Sequence, residues 1–127
     1  MKILWTGVLA GGIALVPALA QACGACIEDK VAATYDHAIV THAAARGQRV
    51  VFGAIDGAVE PQRVRERIRR SAAKVKGLQR GSLHVSAEPA AFSFALDPRA
   101  QTPEAATQDL ERRLAMPGLH LTVIRVQ

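Results

Sequence analysis

Aromatic side chains are scarce in this chain: one Trp, one Tyr and three Phe among 127 residues. A surface that stacks successive bases needs more rings than that, so no nucleic-acid partner is expected. Cysteine is scarcer still. Cys23 and Cys26 are the only two, half of what a closed four-cysteine zinc site requires. No apolar run reaches the roughly 20 residues of a membrane-spanning helix; the leading one, Ile3 to Val16, is shorter and contains Gly7, Gly11 and Gly12. No segment repeats. The serines and the Asp36-His37 pair show no hydrolytic spacing, and "GAIDGA" is too short for a phosphate loop. A non-enzymatic protein is expected.

What is present begins with an export leader. Lys2 supplies a positive start, the apolar stretch follows, and Pro17 breaks it. "PALAQAC" then places small residues at the −3 and −1 positions of a cut after Ala20 or Ala22, the pattern of a secretory signal peptide. Residues 1–22 are expected to be removed and the rest to work in the periplasm or outside the cell. A lipoprotein-type cut would need Leu, Val or Ile three residues before Cys23, where Ala20 stands. Membrane attachment is expected only if Cys23 is lipidated. A cut after Ala22 removes 22 residues and Lys2, leaving 105 residues with 15 basic and 11 acidic side chains. That suits one small domain.

Periodicity divides the remainder. "IEDKVAATYDHAIVTHAAARG" reads as one helix, with Ile27, Val31, Tyr35, Ile39 and His42 on a stripe and Gly47 at its stop. "RVVFGAIDG" reads as a buried strand. "EPQRVRERIRRSAAKVKG" is an amphipathic helix with Val64, Ile68, Ala72 and Val75 inward and its basic residues on the wet side. "SLHVSAE" and "AFSFALD" are strands, the second with Phe92, Phe94 and Leu96 on one face. Thr102 caps a last helix with Pro103 at its first position; Ala106, Leu110 and Leu114 form its core stripe, and Pro117-Gly118 ends it. "LHLTVIRV" closes the chain as a strand. The order after Gly47 is β-α-β-β-α-β, so the expected class is α+β: a ferredoxin-like sandwich over residues 48–127. The cysteines and an extra N-terminal helix occupy 23–47. That helix can pack on the domain or project to meet another chain, a homodimer included.

At Cys-x-x-Cys spacing, Cys23 and Cys26 can converge on one ion or close on each other. Just ahead of a helix, both would feel the positive end of its dipole, which favours thiolate. Cys26 and His37 would lie on one face but on the order of 16 Å apart along a straight helix. His42 is farther, and His84 and His120 are on separate strands. With two soft sulfurs and no third ligand, Cu(I) or another soft ion such as Hg(II) suits the pair better than Zn(II). Lys30, Tyr35, Asp36 and His37 sit nearby in sequence, either as supporting groups for a metal or simply as a polar helix face with Tyr35 packing its ring.

The single Cys-x-x-Cys, together with the βαββαβ order from Arg49 to Val126, resembles the heavy-metal-associated domain family, including periplasmic mercury- and copper-binding proteins. That resemblance implies metal binding through Cys23 and Cys26, and a protein partner for metal transfer. The family holds its cysteines between first strand and first helix; the corresponding loop here, "IDGAVEPQ", has none. Two alternatives stay open. The body can be an interaction module whose cysteines form an inert disulfide or do nothing. Otherwise "CGAC", which resembles the Cys-Gly-x-Cys of thioredoxin-like proteins, carries out thiol-disulfide exchange.

Overall fold

The computed structural model describes residues 19–57 and 60–127; the apolar leader up to Ala18 lies outside them. The elements are α1 (Leu19–Thr34), α2 (His37–Ala45), β1 (Arg49–Asp56), α3 (Pro61–Ala72), β2 (His84–Ala87), β3 (Ala90–Leu96), α4 (Pro103–Leu114) and β4 (His120–Val126). The strands form one antiparallel sheet in the order β2-β3-β1-β4. From β1 onward this is the ferredoxin-like topology expected from the sequence.

Both faces of the sheet are covered. Alternate residues of β1 point to opposite sides, and both sets are apolar. Val51 and Ile55 join Phe92, Phe94 and Leu96 of β3 against Val64 and Ile68 of α3 and Leu110 and Leu114 of α4. Val50 and Phe52 join Ala95 in a second core, closed by Val31 of α1 and Ala43 of α2. Of the two options for the extra helical segment, packing on the sheet is the one adopted.

Gly53 shows how tightly the first core is built. It pairs across the ladder with Phe92, and a Cβ at position 53 would lie 2.0 Å from the Phe92 ring. The aromatic ring occupies the place that a side chain at 53 would take. Next to Gly53 the pairing of β1 with β4 shifts register: Phe52 opposes Arg125, while Gly53 opposes Val123. Ile124 is therefore the extra residue of a β-bulge. Without it, alternation would put Arg125 on the same side as Val123, under α3 and α4. With it, Arg125 reaches the α1 side.

The structure corrects the sequence reading in four places. The expected single helix from Ile27 to Gly47 is two helices broken at Tyr35-Asp36. Asp36 has an extended backbone, and its Oδ1 accepts from the amides of Ala38 at 2.9 Å and Ile39 at 3.2 Å, so it starts a new helix as an N-cap. The preceding carbonyl, Thr34 O, accepts from the buried Ser93 hydroxyl of β3 at 2.8 Å. The second correction concerns the expected stripe: Tyr35 and Ile27 remain 45% and 38% exposed, while Val31 between them is buried. Third, α3 ends at Ala72 rather than running to Gly77, and buried Val75 sits in the turns that follow. Last, α4 stops at Leu114, ahead of Pro117-Gly118, with Ala115 in the left-handed conformation (φ 49°).

Other sequence signals hold. Gly47 is left-handed, with its amide donating to Ala44 O and that of Gln48 to Ala43 O, a two-bond helix stop. Thr102 Oγ1 accepts from the Ala105 amide at 3.1 Å, and Pro103 opens α4. Arg67 donates to Leu114 O at 2.9 Å, so one helix satisfies an end carbonyl of the other.

Candidate metal centre

Cys23 and Cys26 both lie within α1, at its fifth and eighth positions, rather than in a loop ahead of it. This corrects the expectation that both precede the helix: with residues 19–22 attached they lie inside it. The end dipole fades within the first turn and does not reach Cys26, whereas a cut after Ala22 would make Cys23 the first residue of the helix. What the helix provides instead is spacing. Residues three apart on an α-helix are neighbours, with Cβ atoms about 5–6 Å from each other. Cys26 is an exposed free thiol, followed by the exposed Ile27, Glu28 and Asp29.

One turn of this segment is tied to the sheet. Glu28 accepts from both terminal nitrogens of Arg125, one at 3.2 Å and the other closer. The arginine's hydrogen bonds and charge hold the Glu28 carboxyl below the usual carboxylate range, and the same contact raises Arg125. The bulge in β4 is what brings the guanidinium to this side. Below it, Val31 enters the second core and Thr34 is capped by Ser93. The helix bearing the thiols thus sits on the domain at three successive levels.

The polar residues near the cysteines in sequence do not gather around them. Asp36 is ten residues beyond Cys26, about 15 Å at the helical rise up to the break. It is taken up as a cap, and its Oδ2 meets Nε2 of His84 on β2 at 3.3 Å. Tyr35 stacks on buried Phe52 with ring centroids 6.4 Å apart, and its hydroxyl lies 3.4 Å from His37 Nδ1. The Lys30 carbonyl accepts from the Thr34 hydroxyl. These residues build the helix break and its seat on the sheet. His42 lines a cleft of about 320 Å³ between α2 and the Gln79–Ser82 turn, whose walls include Gln48 and Arg80. His120 Nδ1 lies 3.5 Å from Glu111 on the α3–α4 side. Among the described residues no three His, Cys, Asp or Glu side chains converge as metal ligands, and no helix is long and apolar enough to cross a membrane.

The contacts that sequence reasoning missed are the Arg125–Glu28 clamp and the Ser93 cap. Neither has a local signal, because their partners are 97 and 59 residues apart. Asp36 did have one: an Asp just ahead of "HAIV" fits an N-cap.

No family model matches the chain, and neither does any curated protein. Among solved structures, the chain is similar to the crystal structure of a copper-binding domain from HMA7, a P-type ATPase. That match has a TM-score of 0.50 at 13% identity, over 62% of this chain and 97% of that one. The N-terminal domain of PacS from Synechocystis PCC6803 is also similar, with a TM-score of 0.45, 24% identity, and 60% and 97% coverage. At these identities the likeness to the HMA7 domain establishes a shared fold.

Proposed function

We propose that this is an exported soft-metal-binding protein, of the copper or mercury type, in which the thiolates of Cys23 and Cys26 hold the ion. The observation that carries this reading is the pair's place one turn apart on α1, at a turn where Cys26 is exposed. Two metal–sulfur bonds of about 2.3 Å span about 4.6 Å, within reach of side chains whose Cβ atoms stand about 5–6 Å apart. The ion displaces the thiol protons as it binds, so no helix-end charge is needed to prepare the site. Two-sulfur coordination without imidazole suits Cu(I) or Hg(II) over Zn(II). An exposed two-ligand site leaves the ion open to attack by a third thiolate, which fits delivery to a protein partner. The fold shared with the HMA7 domain is consistent with this role and does not carry it.

The ferredoxin-like body, with α1 seated on the face away from α3 and α4, acts as the rigid mount. Competition against a chromophoric Cu(I) chelator tests the proposal. The reduced protein is expected to hold about one Cu(I) per chain, and the Cys23→Ser/Cys26→Ser variant none. Equal retention by that variant defeats it. Insulin reduction by the dithiol protein, with dithiothreitol regenerating the thiols after each turnover, would favour thiol-disulfide exchange instead.

A further inference from the structure

The basic charge of this protein is gathered on α3 and the turns that follow it. Between Pro61 and Lys76 there are seven Lys and Arg against one acidic residue, Glu66. That stretch is therefore +6 in a chain whose total is +5, and everything else sums to −1. Val64, Ile68, Ser71 and Ala72 face the core. At 100° per residue, Arg63 and Arg70 lie on one exposed flank of α3 and Arg65 and Arg69 on the other, with Lys74 exposed in the turn that follows. Among the described residues the only ion pair on this helix is Arg70 with Glu66, at 3.6 Å and with both side chains more than 70% exposed. Such a pair contributes little.

The surface has charge but no anchor. Protein interfaces concentrate their energy in buried aromatic or large aliphatic residues at the centre of the patch. The exposed large hydrophobics among the described residues are Ile27 and Tyr35, both in the α1–α2 layer across the sheet. A lipid headgroup surface asks only for several cations held near it, each worth about fivefold in partitioning. We infer that the exposed face of α3 docks electrostatically on an anionic phospholipid bilayer, leaving the α1 side of the sheet, with the exposed Cys26, turned outward. This docking is separate from metal binding and does not depend on the thiols.

The test is co-sedimentation of the mature chain, residues 23–127, with vesicles of phosphatidylglycerol and phosphatidylcholine, and with vesicles of phosphatidylcholine alone, at low and high salt. Binding is expected to the first kind only and to vanish at 0.5 M salt, where the screening length falls to about 4 Å. The Arg65→Gln/Arg69→Gln variant is expected to bind about 25-fold more weakly. The Arg46→Gln/Arg49→Gln variant, which removes the same charge from exposed sites outside α3, should stay within about threefold of the parent. Circular dichroism checks that both variants fold, Gln being a good helix former. Equal losses in the two variants, or equal binding to neutral vesicles, overturns the inference. Tighter binding to polyglutamate or duplex DNA than to the vesicles at the same salt also overturns it, in favour of another polyanion.

Discussion

Replacing Gly53 by Ala adds one methyl group where the structure has an aromatic ring. The new carbon would stand 2.0, 2.3 and 2.7 Å from Cζ, Cε1 and Cε2 of Phe92. Carbon atoms come to rest at about 3.5–4.0 Å, so the ring must retreat by about 1.5 Å. It has nowhere to go. Phe92 is fully buried, stacked on equally buried Phe94 with centroids 5.9 Å apart, and closed in by α3 and α4. Overpacking of this kind costs about 1–3 kcal/mol. Loss of glycine's freedom in the unfolded chain offsets about 0.4–1 kcal/mol of that. A net loss of about 1.3 kcal/mol is expected, which lowers Tm by about 5–10 °C for a domain of this size. Urea and thermal denaturation followed by circular dichroism measure it. The decisive companion is Phe92→Leu, which costs stability in the parent by leaving a cavity but makes room for the added methyl group. In the cycle, the Gly53→Ala/Phe92→Leu variant should be more stable than the sum of the two losses predicts, by at least about 1 kcal/mol. Additive losses, or a Gly53→Ala protein as stable as the parent, would refute the packing argument.

Asp36→Ala removes the acceptor of two α2 amides and should cost about 1 kcal/mol. Asp36→Asn, which still caps, should recover most of it, with amide exchange showing the loss confined to α2. Ala115→Gly relieves a left-handed residue that costs about 1–2 kcal/mol without glycine. Less glycine's unfolded-state freedom, Tm should rise by a few degrees; a fall would argue against strain at this helix end. Because the Arg125 hydrogen bonds hold the Glu28 carboxyl below its ordinary value of 4.5, the α1 clamp is fully present above about pH 4.5. It is lost as pH falls through the lowered folded value. Hydrogen exchange in α1 should quicken below that pH in the parent, and already at neutral pH in Glu28→Gln. An unchanged α1 in the variant would show that Val31 and Ser93 suffice to seat the helix.

The elements of the body were legible because their signals are short. Pro103 behind Thr102 marks the start of α4, and Phe92, Phe94 and Leu96 alternate visibly along β3. The same reading failed at Tyr35-Asp36, where alanine-rich helical propensity on both sides outweighed one capping residue. It placed the cysteines ahead of a helix for a different reason: "PALAQAC" reads as a cleavage site and Ile27 as the helix start, whereas α1 runs unbroken from Leu19 to Thr34.

By itself the sequence determined the βαββαβ order and the two-sided apolar character of β1, since spacing and capping act over a few residues. It also set the thiol pair on which the proposed metal site rests, because Cys23 and Cys26 are the only cysteines in the chain. The tertiary structure decided which face receives α1 and α2, where that segment breaks, and which side of the sheet Arg125 joins. Those outcomes depend on Ser93 meeting Thr34 and Arg125 meeting Glu28 across 59 and 97 residues. Contacts so remote leave no periodic trace along the chain and exist only once the sheet has formed.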